Sequence, residues 1–259
     1  VRASELVWFR NDLRCRDQAA LAQASERGSV VGVYCFCPGQ LTAHGVGGNR
    51  VAFLLRCVAE LSRELGQLGI ALKIIEADTF AEVPEALRAL ALELGARRLW
   101  FNAEYPLNER RRDGAVTAAL QAEGIAIERF DDTVIRAPGT VLTQAGTPYT
   151  VFTPFRRRWL ESISPGDLAP RLPPRPQAGP DIPSDPVPSL PERFVATAPE
   201  ALWPGGEAPA QERLERFLES AVDGYDKQRD FPALDGTSTL SPWLAVGAIS
   251  PRQCLHAVV

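Results

Sequence analysis

The 259-residue sequence has no methionine, only two histidines, and five cysteines at positions 15, 35, 37, 57 and 254. No C-x-x-C pair occurs and His44 and His256 stand far apart in the chain, so neither a structural zinc site nor a disulfide framework is expected. The thiols are expected to be reduced and mostly buried. No apolar run approaches the roughly 20 residues of a membrane-spanning helix. The opening Val-Arg-Ala-Ser-Glu carries no hydrophobic signal core. The expectation is therefore a cytoplasmic protein with no membrane partner. Without a methionine at position 1, residues are expected to have been trimmed from the start.

Two common phosphate cradles are missing as well. Asn11-Asp12-Leu13-Arg14-Cys15 stands where a G-x-G-x-x-G would follow the first strand, and no G-x-x-x-x-G-K-[ST] occurs. The net charge of −4 argues against a whole-surface nucleic-acid binder. Local basic faces remain, Arg110-Arg111-Arg112 and Arg156-Arg157-Arg158, and each alone reads as a solvated helix face.

What is present is an ordinary globular composition, 45% hydrophobic and 23% charged. Short β-rich runs alternate with helical periods over the first 130 residues. The strand candidates are Leu6–Arg10, Val30–Cys37, Leu72–Glu76, Arg98–Phe101 and Ile125–Phe130. Asp17 is placed to cap the helix after the first strand. Val51, Leu54, Leu55, Val58, Leu61, Leu65 and Leu68 mark one helical stripe. Gly69, Gly95 and Gly124 close successive helices. The pattern predicts an α/β fold, a doubly wound parallel five-stranded sheet over residues 1–135. A linker follows over 136–208, and 13 of the 22 prolines lie between Ser164 and Pro209. From 209 to 259 the pattern is all-helical, with Ser250 capping a helix begun by Pro251. Val258 and Val259 read as lying within that helix, so the second domain is expected to be incomplete.

Several polar groups suggest chemistry. The loop Gly45-Val-Gly-Gly-Asn49 precedes a helix and could approach a ligand, though a plain loop is the simpler reading. Asn108 and Glu109 lie beyond the fourth strand, where open α/β sheets bind ligands. Their amide and carboxylate could meet an amino-pyrimidinone edge; on the residues alone a helix-cap role is the favoured reading. Gly236-Thr237-Ser238-Thr239-Leu240-Ser241 offers hydroxyls and backbone N–H groups near a helix start, which suits a pyrophosphate, or a Ser/Thr turn. Tyr225 and Arg229 are one helical turn apart and share a face.

Taken together, these motifs resemble the photolyase/cryptochrome family, most closely its bacterial class I, folate-type, cyclobutane pyrimidine dimer branch. The resemblance rests on Leu6-Val-Trp-Phe-Arg-Asn-Asp-Leu-Arg14, Asn108-Glu109-Arg110, Val151-Phe-Thr-Pro-Phe155, Gln228-Arg-Asp-Phe-Pro232, Gly236–Pro242 and Ile249–His256. It implies a Rossmann-like antenna domain joined by a long linker to a helical FAD-binding domain. It implies that Asn108 and Glu109 hold a 5,10-methenyltetrahydrofolate antenna. Tyr225, Thr237, Ser238, Thr239, Leu240 and Ser241 would contact FAD, and Arg229 would contact DNA. The implied activity is light-driven repair of pyrimidine dimers in UV-damaged DNA, by an electron from excited reduced FAD to a flipped-out dimer. A monomer is expected. No catalytic residue of this class is assignable in the chain, and two short motifs are expected to bind FAD weakly by themselves. Apolar helix faces near Leu214 and Leu255 are expected to be exposed. A cryptochrome-type photoreceptor, a (6-4) photolyase and a non-catalytic pterin- or nucleotide-binding α/β module are the competing readings.

Overall fold

A computed structural model describes residues 5–178 and 182–258. Val259 lies outside them. In chain order the α/β part is β1 (Glu5–Phe9), α1 (Ala19–Arg27), β2 (Val30–Phe36), α2 (Pro38–Ala43), α3 (Gly48–Gln67), β3 (Ala71–Glu76), α4 (Val83–Leu94), β4 (Arg98–Asn102), α5 (Leu107–Ala122) and β5 (Ala126–Phe130). The strands form one parallel sheet in the order β3-β2-β1-β4-β5. Side chains alternate across it, as the two-residue period of a strand requires. Val7 and Phe9 face the core shared with α1 and α3, while Leu6 and Trp8 face the core shared with α4 and α5. The stripe on α3 buries Val51, Leu54, Leu55, Val58, Leu61 and Leu65, each removing about 1.5–3 kcal/mol of apolar exposure.

Asp17 does not cap α1. Gln18 does, its Oε1 accepting from Leu21 N at 2.7 Å. Asp17 sits at φ 49°. Its carboxylate instead accepts from Ser250 Oγ (2.5 Å), Arg252 Nη1 (2.7 Å) and the Arg171 amide (2.8 Å), all from segments that arrive much later in the chain.

After β5 come α6 (Phe152–Ser162), α7 (Pro165–Leu168), a long stretch with one 3-10 turn at Glu200–Leu202, and then α8 (Glu207–Ser220), α9 (Tyr225–Gln228), α10 (Ser241–Val246) and α11 (Pro251–His256). Pro251 and the Ser250–Gln253 capping box start α11 as expected, but the helix stops at His256 and Val258 lies in a turn. The proline-rich stretch is docked along the open edge of β3. Leu72 N donates to Ser184 Oγ, Asp185 N to Leu72 O, and Ile74 N to Asp185 Oδ2. An otherwise unpaired sheet edge is thereby covered. Further along, Asn49 Oδ1 accepts from the amides of Thr197 and Ala198, so the first turn of α3 holds the linker.

Leu240, Trp243, Val246, Ala248 and Ile249 belong to the same buried cluster as Val7, Phe9 and α3. Leu13 N donates to Val246 O. Leu214, expected to be exposed, is 3% exposed in that cluster, and Leu255 is half-buried. The α8 stripe finds its partner within the chain. The apolar side chains that do face outward include Phe152, Phe231 and Leu234.

Candidate functional site

The strand order reverses between β1 and β4, so the crevice beyond their carboxyl ends is where an open α/β sheet takes a ligand. Here that crevice is largely filled from within. The Arg10 guanidinium lies 4.1 Å from the Trp8 ring centroid and 4.6 Å from that of Phe101. Arg112 lies 4.8 Å from Trp8 and 4.6 Å from Phe80. Arg112 therefore departs from the expected solvated face, whereas Arg110 and Arg111 do lie exposed. Arg112 Nη2 pairs with Glu104 (2.6 Å) and Asp113 (2.7 Å). Burial works to raise the Glu104 carboxyl, but Arg10 and Arg112 offset it and hold the group below its usual range. Burial raises Asp12, although Arg10 and Arg14 pull it back.

A cavity of about 90 Å³ remains, bordered by Arg10, Asn11, Tyr34, Phe80, Glu104 and Glu109. Arg10 Nε and Nη1 and Asn102 Oδ1 are buried without a hydrogen-bond partner among the described residues. Buried polar atoms of this kind call for a ligand or ordered water. The interior volume admits a few waters at most.

Of the two residues expected to bind there, Glu109 lines the cavity and Asn108 does not. Pro106 is the N-cap of α5, which places Asn108 and Glu109 in its first turn; Asn108 is not the cap. Asn108 is exposed and Glu109 half-buried at the cavity wall. Asn108 Nδ2 stands 3.2 Å from His44 Nε2, which also meets Gln40 Nε2 at 2.9 Å. The His44 ring packs edge-on against Phe80, with centroids 6.2 Å apart. His44 escapes sequence reasoning because it comes from the α2–α3 loop, 64 positions earlier.

The hydroxyl-rich loop lies elsewhere, between α9 and α10. Thr239 has φ 49°, and Arg213 Nε donates to Ser238 O at 2.9 Å. The hydroxyls of Thr237, Thr239 and Ser241 have no hydrogen-bond partner among the described residues and remain free for an outside acceptor. Leu240 is 4% exposed in the core, which leaves only its main chain for a ligand. Thr239 borders a cleft of about 380 Å³ with Arg213, Arg216 and Trp243. Ser241 borders a second, mainly apolar cleft of about 410 Å³ with Phe53, Trp203 and Pro242. At the end of α9, the guanidinium of Arg229, its C-cap, lies 5.8 Å from the centroid of the Tyr225 ring, both partly open to solvent. They share a face, as their spacing requires.

Comparison with known proteins gives one consistent result. A family model described as DNA photolyase matches residues 5–177. The chain is 38% identical to a deoxyribodipyrimidine photo-lyase of Salmonella typhimurium, over 99% of its own length and 54% of the relative's. It is 36% identical to that of Escherichia coli, with the same coverage. Among solved structures, a bacterial class III photolyase from Agrobacterium tumefaciens superposes with a TM-score of 0.83 at 34% identity, covering 99% of this chain and 53% of that one. A Synechocystis cryptochrome (TM-score 0.81, 24% identity, 100% and 55% covered) shares the fold. The chain spans about half the length of these relatives.

Proposed function

We propose, for a chain that belongs to the DNA photolyase family, that it forms the antenna side and the start of the flavin side of a deoxyribodipyrimidine photolyase. Its action would be light-driven repair of cyclobutane pyrimidine dimers in UV-damaged DNA. The observation that carries this reading is that the match to the photo-lyases runs through both the α5 site and the hydroxyl loop, not through the sheet alone.

The residues fit the two groups this activity needs. Asn108 and Glu109 offer a donor–acceptor pair and an acceptor to the amino-pyrimidinone edge of a folate, Glu109 sharing its cavity with Arg10, two nitrogens of which have no hydrogen-bond partner among the described residues. The free hydroxyls of Thr237, Thr239 and Ser241 suit phosphate and ribityl oxygens of FAD, with the amide edge of the loop and the Tyr225 phenol nearby in sequence. A bound folate would supply light absorption, and a bound reduced FAD would supply one-electron reducing power when excited. The chain's own work is to hold both groups and to bring Arg229 to a DNA phosphate, a contact that weakens with salt.

The test is loss of a thymine dimer from an oligonucleotide incubated with the full-length gene product in reduced form, in blue light and in the dark. Loss in the light alone supports the proposal. Bound reduced flavin without repair would reject it in favour of a photoreceptor.

A further inference from the structure

Cys15, Glu64 and Glu207 converge on one point although they are 49 and 143 positions apart in the chain. The Cys15 Sγ and one carboxylate oxygen of each glutamate all lie within 4.8 Å of one another. Cys15 comes from the β1–α1 loop, Glu64 from α3 and Glu207 from the first turn of α8. Cys15 and Glu207 are buried, at 7% and 8% exposure, and Glu64 is half-buried. The cluster opens on a cavity of about 390 Å³, the wall of which includes Arg16, Gln67, Pro173 and Pro174.

The cluster has two features that its fold role does not explain. The Cys15 side chain lines the cavity, more than nine-tenths buried, with no disulfide and no hydrogen-bond partner among the described residues. Two carboxylates meet beside it with no cationic side chain between them. Glu207 accepts from Cys15 N through Oε1 at 2.5 Å and from Arg16 N through both oxygens at 3.3 Å, contacts that leave the thiol without a partner. Arg63 Nη2, 3.5 Å from Glu64 Oε1, and Arg16 at the cavity wall balance part of the negative charge.

We propose that Cys15, Glu64 and Glu207 form a site for a borderline-soft divalent cation of the zinc type, with one thiolate and two carboxylate ligands and the fourth position open to water in the cavity. One soft and two hard donors in a three-ligand set suit Zn²⁺ better than the all-oxygen cations Mg²⁺ or Ca²⁺. Binding displaces the thiol proton to solvent, with no change in oxidation state. The ion would tie the α/β part to the first helix after the linker, a staple across three chain segments. The scattered cysteines conceal it, because none of its ligands are close in sequence.

The test is a titration of the purified chain with Co²⁺, which reports a thiolate ligand through a near-ultraviolet charge-transfer band, followed by displacement with Zn²⁺. A one-to-one band in the wild type, abolished in Cys15→Ser, supports the site. So does a loss of Zn²⁺ affinity of about 10-fold or more in Glu64→Gln, at a half-buried position that tolerates the change. Cys15→Ala gives a second reading of the thiol should the serine variant misfold. Absence of a thiolate band, or a band unchanged when Cys15 is replaced, overturns the proposal.

Discussion

Arg252 Nη1 lies 2.7 Å from Asp17 Oδ1, joining two residues 235 positions apart in the chain. The same guanidinium reaches Asp132 Oδ1 through Nη2 at 3.0 Å, and Asp132 also takes Arg14 (3.1 Å) and Arg171 (2.9 Å). Five charged groups from the loops after β1 and β5, the linker and α11 thus meet at one junction, with Arg171 at its open side. Replacing Arg252 by alanine leaves two buried carboxylates short of a cation. Urea unfolding of Arg252→Ala is expected to show a loss of about 3–5 kcal/mol; a change under about 0.5 kcal/mol would show that the junction relaxes freely.

Asp132 also sets a pH dependence. Burial works to raise its carboxyl, but Arg14, Arg171 and Arg252 offset it and hold the group below 3.8. A depressed folded value means that ionisation favours the fold. The contribution is fully present above the unfolded value near 4 and is lost as pH falls through the folded one. The Tm gap between wild type and Asp132→Asn is therefore expected to be largest at pH 6 and to shrink below about pH 4. Asp12, raised by burial, has the opposite slope, and comparison with the single variant separates the two. A gap that stays constant from pH 6 to 2 would contradict the assignment.

Two glycines with similar backbone angles should respond differently to alanine. Gly124 has φ 74° and open space around its missing Cβ, so Gly124→Ala carries only the left-handed penalty of about 1 kcal/mol. Gly247 has φ 69°, and a Cβ there would run into the backbone of Asn11 and Asp12. Gly247→Ala is expected to cost more than about 2 kcal/mol by chemical denaturation. Equal costs would mean that the 10–17 loop yields to the α10–α11 turn.

If the α5 site takes a folate, Asn108 and Glu109 should each matter more than His44 beside them. Asn108→Ala and Glu109→Gln are each expected to lower folate retention through gel filtration, read from its near-ultraviolet absorbance, by about 10-fold. His44→Ala should cost only a few-fold, because it orients the Asn108 amide and remains at the rim. Full retention in Asn108→Ala would move the antenna away from α5.

The strands were legible in the sequence because each is a short apolar run between glycine-marked helices, and the 3.6-residue stripe of α3 reads directly. Asn108 and Glu109 fell where the strand-end rule places ligands. Misread residues are those with distant partners. Asp17 has the composition and position of a cap, yet its carboxylate is taken by Ser250 and Arg252. Arg112 sits in an arginine run yet turns inward to Glu104. Leu214 looked unpartnered because its partners lie across the linker. Local pattern reports local structure, and an ion pair closed over a hundred residues or more leaves no local mark.

Trp243 packs edge-on against Phe53, with ring centroids 5.8 Å apart, and so completes a core the first residues of which were made long before. On the ribosome, the last strand ends at Phe130 while the covering residues 240–249 follow about 110 positions later. At roughly 5–20 residues per second that interval is on the order of ten seconds. For that time the nascent sheet and α3 carry an uncovered apolar face. This is the window in which a chaperone would find its binding surface, and in which slowed translation of the linker would do the most harm.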